Sequence, residues 1–342
     1  MDDSAVNSRR FGSTFLVLAL AVAVPSGFIL LAGKNPLLTW AALLGYALGT
    51  VPGFSEALVY AIPLTLLGVG IAIAFRAGIY NIGGDGQLIF GAVLAVAVAP
   101  WAAALGPAGL LVFLFVGFLG GGMVGALVGW LRTRFGANEI IVTIMLNYVS
   151  FQVLAWAVRG PLQESTRVFP RSFRIADNLV LPVIFDGARI HYGLLIAIAA
   201  AVVVFLLLRY TAFGYRLRVL GENPSVAAYA GINSARTTVV AMTLSGGLAG
   251  LAGAVEVAGV HQRIEDGFDD GLGLVAIAVA LMARLNPLMV PFAAVLFGVL
   301  YAGSNVLQRQ LAIPFPIVWI IEGVVVLAFL GFDWALRRRG DG

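Results

Sequence analysis

The chain has 342 residues, of which 61% are hydrophobic and 11% are charged, and its mean hydropathy is +0.98. Soluble domains carry about a quarter charged residues, so these polar side chains are too few to cover a soluble surface. The same apolar excess excludes a disordered chain. The composition therefore indicates a polytopic membrane protein.

The formal net charge is +4, and 21 basic residues face 17 acidic ones. In a membrane protein, basic residues mark cytoplasmic loops and anionic headgroups, so we expect no nucleic acid as a partner. The chain has no cysteine and two histidines, which disfavours a metal site. No Walker-type phosphate-binding motif and no Ser–His framework occur, so we expect no catalytic residues and no cofactor. Any ATP hydrolysis then belongs to a separate partner chain.

Apolar segments that can cross a membrane recur along the chain, since about 20 apolar residues span a hydrocarbon core of about 30 Å. The candidates are residues 11–32, 57–75, 82–99, 108–131, 139–158, 192–208, 237–260, 288–307 and 316–334. A shorter stretch at 271–283 brings the expected number to ten, whereas residues 36–48 are interpreted as interfacial or re-entrant. The sequence thus predicts an all-α transmembrane helical bundle that forms a single domain over residues 1–342.

The distribution of charge predicts how these segments are oriented. With the N terminus inside, 13 of the 21 basic residues fall in cytoplasmic segments, and basic short loops are what orient a membrane protein. The two longest hydrophilic stretches are then an extracytoplasmic loop at residues 160–190 and a cytoplasmic loop at residues 209–236. An even number of crossings places both termini in the cytoplasm.

A glycine-rich polar stretch interrupts the apolar pattern at the start of the third candidate segment. Residues 76–87 place Asn81, Asp85 and Gln87 among four glycines. Irregular backbone at membrane depth has to pack in protein or line a wet cavity, and broken helices form substrate sites in many transporters. These side chains therefore predict a polar substrate pathway. The alternative is a packing notch in which Asp85 caps the helix at the cytoplasmic interface.

The cytoplasmic loop contains the signal of a short helix. Asn223-Pro224 is typical of a helix start. Proline lacks a backbone N–H, but in the first turn of a helix that N–H would make no intrahelical hydrogen bond. Gly231 is a natural residue just beyond a helix end. A short surface helix with small residues such as Ala227 and Ala228 suits docking into a groove on a partner protein. The alternative is a plain connection between two membrane segments.

A third set of polar residues within the candidate membrane segments comprises Asn147, Glu256 and Glu322. Carboxylates at membrane depth are costly and usually face a bundle interior or a cavity. Asn147 and Glu256 are therefore candidates for the substrate pathway. Alternatively, Asn147 joins two helices through hydrogen bonds, and Glu256 pairs with His261 or Arg263 near the outer face.

The run Phe75-Arg-Ala-Gly-Ile-Tyr-Asn-Ile-Gly-Gly-Asp-Gly-Gln87 resembles the F-R-A-G-x-F-N-I-G-x-E-G-Q signature of ABC-importer permeases for nucleosides. That branch lies within a larger group that serves simple sugars and branched-chain amino acids. Further similarity is found at residues 138–148, 158–162, 221–232, 247–256 and 277–281, so the resemblance covers nearly the whole chain. The departures from the signature concern the substrate more than the class of transporter. They are Tyr80 for phenylalanine, Asp85 for glutamate, and an unusual sequence at residues 268–274.

The resemblance implies a type II-like ABC importer permease of about ten spans in the bacterial cytoplasmic (inner) membrane. It implies three partners: one or more ATPase subunits, a second permease that is similar but distinct, and an extracytoplasmic substrate-binding protein. The implied cargo is a nucleoside, of the guanosine type, carried by alternating access. The residues expected in the substrate pathway are Asn81, Asp85, Gln87, Asn147 and Glu256. Those expected in ATPase coupling are Gly221, Glu222, Asn223, Pro224, Ala227, Ala228 and Gly231.

Two rival hypotheses remain open. The first keeps the class and changes the cargo to a simple sugar or another small polar solute. The second is an ion-coupled secondary transporter that uses Asp85, Glu256 and Glu322 as proton or sodium sites, and it predicts uptake by this chain alone. A scaffold protein is disfavoured, because buried polar groups cost free energy that packing alone does not require.

Overall fold

A computed structural model describes residues 22–185, 187–268, 271–311, 319–321, 323–324 and 327. Within these ranges the regular structure is helical, apart from three isolated β-bridges. The helices are α1 Val22–Leu31, α2 Pro36–Gly49, α3 Val51–Arg76, α4 Gly84–Ala103, α5 Gly109–Phe135, α6 Glu139–Arg159, α7 Gly193–Tyr210, α8 Ala212–Glu222, α9 Pro224–Tyr229, α10 Ser234–Glu256, α11 Leu272–Met282 and α12 Val290–Leu311. A π-helical turn, Val257–His261, continues α10.

Seven of these helices are long and apolar enough to cross a membrane, and each matches a predicted segment. An eighth span results if α1 and α2, which meet at a bend of 116°, are counted together. The short stretch predicted at 271–283 is α11. The predicted span 316–334 and the first part of 11–32 fall largely outside the described residues. The all-helical membrane fold is therefore confirmed, and the count of ten stays a prediction.

The chain divides into two compact units, residues 61–294 and residues 1–60 with 295–342. The larger unit is built around α4, α5 and α10, which pack closely on one another. In the smaller unit, the apolar core contains Ile29, Leu43, Leu300 and Leu307. There Glu56 accepts hydrogen bonds from the Tyr46 hydroxyl and the Asn305 amide, each at 3.1 Å.

Close packing in the larger unit depends on glycine. Along α5, glycines recur every fourth residue at positions 117, 121, 125 and 129, which places them on one face of the helix. A Cβ atom on Gly121 would lie 2.2 Å from the carbonyl oxygen of Gly246, and one on Gly250 would lie 2.2 Å from that of Gly117. The two backbones therefore touch, which is the usual way in which membrane helices associate without a hydrophobic driving force.

The long loop between α6 and α7 is held by polar contacts. Ser172 makes two hydrogen bonds to the backbone of Ile264: its N–H donates to the Ile264 carbonyl at 2.7 Å, and its Oγ accepts from the Ile264 N–H at 3.0 Å. Glu164 pairs with Arg171 at 2.7 Å and with Arg263 at 3.6 Å, which holds the pKa of the Glu164 carboxyl below its usual range, mainly through the Arg171 hydrogen bond. The loop therefore has a defined fold and covers the ends of α6 and α10.

Candidate functional site

The chain leaves helix α3 and returns into the bundle before α4 begins. Residues 77–83 are not helical, and Gly78 has φ +70°, a left-handed conformation that glycine adopts at no steric cost. A Cβ atom on Gly84 would lie 3.4 Å from the side chain of Leu67. Since Leu67 stands nine residues before the end of α3, α4 begins about 13 Å inside that end of the helix. We call residues 77–83 the broken segment.

Two amide side chains hold the broken segment against α10. The Asn81 amide donates to Gln87 Oε1 at 2.9 Å and to Ser245 Oγ at 2.9 Å, and the Gln87 amide donates back to Asn81 Oδ1 at 3.1 Å. Asn81 is 1% exposed and Gln87 is fully buried. A buried amide without partners would cost about 1–3 kcal/mol, and here both amides satisfy each other. The hydrogen bond to Ser245 holds the two amides at one position along helix α10.

Asp85 links the first turn of α4 to the first turn of α11. Its carboxylate accepts a hydrogen bond of 2.5 Å from the backbone N–H of Gly273 and is 5% exposed. A Cβ atom on Gly273 would lie 2.4 Å from the backbone nitrogen of Asp85, so only glycine permits this approach. Two helix N-termini therefore converge on one carboxylate. Its negative charge is favourable there, because both termini carry partial positive charge.

Asn147 ties helix α6 to the same place. Its Oδ1 accepts from the N–H of Gly86 at 2.9 Å, and its Nδ2 donates to the carbonyl of Ile82 at 3.2 Å. One side chain thus satisfies backbone groups on both sides of the α4 start. This is the hydrogen-bonding interpretation of Asn147, which is half-buried. The polar cluster, as we call Asn81, Asp85, Gln87, Asn147 and Ser245, joins α4, α6, α10 and α11.

Glu139 and Arg132 form a second polar contact near the broken segment. Glu139 is 9% exposed, forms an ion pair with Arg132 at the end of α5, and accepts a hydrogen bond of 3.4 Å from the N–H of Tyr80. Glu139 also stands in the first turn of α6, where a carboxylate stabilises the helix. This contact holds the broken segment at Tyr80, and the polar cluster holds it at the next residue, Asn81.

The predicted short helix after Asn223 is present as α9. The side chain of Asn223 accepts from the N–H groups of Ser225 and Val226 at 2.9 and 3.2 Å, and Gly231 follows with φ +70°. Tyr229 is 94% exposed at the end of this helix. The predicted helix and its start and stop are therefore confirmed. Its role in ATPase coupling stays a prediction.

The end of α8 touches the start of the broken segment. A Cβ atom on Gly221 would lie 2.1 Å from the carbonyl oxygen of Arg76, and one on Gly78 would lie 3.5 Å from the Cα of Gly221. A cavity of about 450 Å³ lies beside this contact. Its lining includes Ala77, Gly78, Arg132, Gly221, Pro224 and Ser234. The α8–α9 element therefore packs directly on the backbone that leads into the polar cluster.

Glu256 does not join the polar cluster. It stands eleven residues beyond Ser245 on α10, or about 16 Å away along the helix axis. Its Oε1 lies 3.5 Å from Nε2 of His261, as the local alternative predicted, whereas Arg263 pairs with Glu164 instead. Four of the five residues predicted for the substrate pathway are thus brought together, and the fifth lies near the long loop. The cargo-contacting role of all five stays a prediction.

Sequence reasoning did not single out Ser245 or Gly273 as members of the polar contacts. Ser245 directly precedes Gly246, which packs on α5. The sequence contains a signal that could have identified Ser245, because this polar residue lies near the middle of an apolar 23-residue helix. Nothing local marks Gly273, because its importance comes from Asp85, which is 188 positions away in the sequence.

Comparison with known proteins supplies the wider context. The family described as "Branched-chain amino acid transport system / permease component" matches residues 53–330. The glucose ABC transporter permease protein TsgB13 of Haloferax volcanii is 31% identical over 96% of this chain and 89% of its own length. The guanosine ABC transporter permease protein NupP of Bacillus subtilis is 31% identical over 94% and 93%, and the nucleoside permease protein NupB of Lactococcus lactis is 30% identical over 91% and 89%.

Proposed function

Because the chain belongs to the family of branched-chain amino acid transport system permease components, we propose that it is the membrane subunit of an ATP-driven importer that carries a nucleoside. Its relatives are permease proteins of ABC transporters, so the predictions of a transport subunit and of ABC membership are confirmed. The chain is a membrane-embedded permease and not an enzyme. The cargo, the orientation in the membrane and the residues that carry out transport are the proposal.

The contact of Gly221 with Arg76 is the observation that supports the mechanism most directly. It joins the α8–α9 element to the backbone that leads into the broken segment, with no side chain in between. Movement of α9 by a docked ATPase therefore reaches the start of α4 through packed backbone. Packed elements of this kind shift between discrete arrangements instead of deforming continuously.

We expect the hydrogen bond between Asp85 and Gly273 to break and re-form during transport. Asp85 stands at the start of α4, and Gly273 stands at the start of α11, a helix half the length of a span. When the broken segment moves, these two helix starts separate and present N–H groups and a carboxylate to the pathway. Nucleoside hydroxyls and base N–H groups are the donors and acceptors that such a surface binds.

The nucleoside cargo is supported by the signature at residues 75–87 and by two nucleoside permeases among the relatives. A sugar remains the second candidate, since the glucose permease is as similar over as much of the chain. We propose an ATPase, a second permease and an extracytoplasmic binding protein as partners in the cytoplasmic membrane. In the proposed orientation, α8–α9 and both termini are cytoplasmic, and the termini lie outside the described residues.

Uptake of labelled guanosine in cells that carry the whole operon tests this proposal. Gly231→Pro should abolish uptake at equal membrane abundance, because proline requires φ near −65° and this position has φ +70°. Gly45→Ala is the matched control, since it sits in a helix with open space around it. Uptake that persists in Gly231→Pro and collapses with an uncoupler would favour the ion-coupled rival. Uptake of a sugar but no nucleoside would keep the class and overturn the cargo.

A further inference from the structure

A groove of about 680 Å³ lies between α8, the start of α10 and the turn that joins α9 to α10. We call it the α8–α10 groove. Its lining combines arginine, aromatic and aliphatic side chains, and none of the described residues that line it is acidic. The lining includes Phe213, Tyr215, Arg216, Ile232, Arg236 and Val240.

Helix α8 holds one side of this groove at the level of the membrane interface. A Cβ atom on Gly214 would lie 2.2 Å from the carbonyl oxygen of Leu208, and the Arg218 guanidinium donates to the same carbonyl. Helix α8 therefore folds back on the last turn of α7, which is long enough to span a membrane. Tyr210 and Tyr215 are 74% and 57% exposed there, and exposed tyrosines are typical of the membrane–water interface.

Helix α10 carries the groove below that level. The helix begins at Ser234, and Thr237 and Val240 stand about 4.5 and 9 Å further along its axis, inside the predicted span. Val240 is 37% exposed. The groove thus extends from the polar surface to the depth at which acyl chains begin. A soluble protein that docks on α9 does not reach that depth, whereas a lipid presents a polar and an apolar part at these two levels.

The charge of the groove is not balanced within the chain. Residues 209–236 contain four arginines and one glutamate. Arg216 and Arg236 are exposed, and neither forms an ion pair with a carboxylate in the described part of the chain. Arginines of the long loop, such as Arg171, do form such pairs. The groove therefore favours an occupant that is itself negatively charged.

We infer that the α8–α10 groove binds a phospholipid with an anionic headgroup from the cytoplasmic leaflet. Arg216 and Arg236 bind the phosphodiester, because guanidinium groups donate charge-assisted hydrogen bonds to phosphate oxygens. Phe213 and Val240 contact the first part of the acyl chains. Basic pockets between membrane helices on the cytoplasmic side bind headgroups of this kind. The inference rests on the proposed orientation, in which α8–α9 is cytoplasmic.

A lipid in this position joins α8 to α10. Gly221 near the end of α8 contacts the carbonyl of Arg76, which leads into the broken segment. The bound lipid therefore stabilises the element through which we propose that the ATPase acts. Uptake by the transporter in proteoliposomes should then be faster with phosphatidylglycerol present than in phosphatidylcholine alone.

Native mass spectrometry of the assembled transporter, titrated with phosphatidylglycerol, measures the binding itself. Arg216→Gln and Arg236→Gln should each weaken binding about fivefold, and the double variant about thirtyfold. Arg216→Lys with Arg236→Lys should retain most of the affinity, because the charge is kept. The matched control is Arg167→Gln with Arg174→Gln, which removes the same charge from exposed positions of the long loop and should leave binding unchanged.

Three results would overturn the inference. The first is equal affinity of the double glutamine variant and the wild type. The second is displacement of the lipid by inorganic phosphate at the same concentration, which would assign the groove to a free anion. The third is loss of the ATPase subunit from the double variant with unchanged lipid binding, which would assign the arginines to an acidic protein surface.

The importer function is tested separately in the same preparation. ATP-dependent guanosine uptake by the wild type does not enter the binding measurement. Absence of uptake with intact phosphatidylglycerol binding would overturn the importer function and support the lipid site. Normal uptake without specific phosphatidylglycerol binding would overturn the lipid site alone.

Discussion

At the scale of single residues, Asp85 has two functions that separate by substitution. Its carboxylate accepts the Gly273 N–H and supplies negative charge to two helix starts. Asp85→Asn keeps an acceptor and loses the charge, which should cost about 0.3–1 kcal/mol of stability. Asp85→Ala loses both and should cost about 1.5–3 kcal/mol. Thermal unfolding of the solubilised complex measures the difference.

The control for this pair is Asp177→Ala, whose side chain is 96% exposed and should leave stability unchanged. If Asp85→Ala unfolds at the same temperature as the wild type, the link between α4 and α11 contributes nothing and our description of the site is wrong. Asp85→Asn should reduce the transport rate by more than its small loss of stability explains. The reason is that we expect the Asp85–Gly273 hydrogen bond to break and re-form in each transport cycle.

His191 gives the protein a dependence on pH. The residue precedes α7, is 1% exposed, and its Nδ1 accepts a hydrogen bond of 3.2 Å from the N–H of Gly193, which requires the neutral ring. Burial lowers the pKa of His191 below its ordinary 6.5, and the Glu256 carboxylate acts in the opposite direction. A lowered pKa means that the unfolded chain takes up the proton more readily. Stability from this group is therefore complete above pH 6.5 and is lost as the pH falls through the folded-state value.

We expect the unfolding temperature of the solubilised protein to fall between about pH 7.5 and about pH 5.5, and His191→Gln to flatten that dependence. Glu164 does not interfere, because its pKa is lowered: its contribution to stability is complete above its ordinary pKa of 4.5 and is lost only at lower pH. An unchanged slope in His191→Gln would assign the dependence to other groups.

At the scale of the elements, the α5–α10 contact sets the position of Ser245 and with it the depth of the polar cluster. Gly121→Ala would place a Cβ atom 2.2 Å from the Gly246 carbonyl oxygen, so the helices have to separate. Overpacking of this kind costs about 1–3 kcal/mol. Gly122→Ala, whose Cβ atom would lie 3.3 Å from the nearest atom, is the matched neighbour. Equal unfolding temperatures for the two variants would contradict the contact.

Local sequence signals predicted individual elements well and their contacts poorly. Asn223, Pro224 and Gly231 carry the start and end of α9 in their own backbone preferences, so the helix was predictable. The broken segment was predictable from its glycines and polar side chains. Its partners were not, since the Asp85–Gly273 and Asn81–Ser245 bonds join residues far apart in the sequence. Glycine packing of α5 on α10 explains why Ser245 arrives beside Asn81.

At the scale of the whole molecule, composition alone predicted the membrane fold, because apolar length is a property of each helix by itself. Family membership confirmed the transporter class. Sequence patterns do not show which polar side chains lie together. They do not group Asn81, Asp85, Gln87 and Asn147 at one depth, and they do not separate Glu256, which lies at the far end of α10. That separation follows from where α4 begins, which is set by tertiary contacts.

In the proposed mechanism, motion driven by ATP reaches the polar cluster through the contact of Gly221 with Arg76. The most direct measurement is ATP hydrolysis and guanosine uptake by the purified complex in proteoliposomes, with wild type compared with Gly221→Leu. A side chain at this position would collide with the Arg76 carbonyl oxygen, 2.1 Å from the Cβ atom, and displace α8. We predict continued ATP hydrolysis with uptake reduced at least tenfold. Uptake that stays coupled to ATP hydrolysis at the wild-type ratio would show that this contact does not transmit the motion.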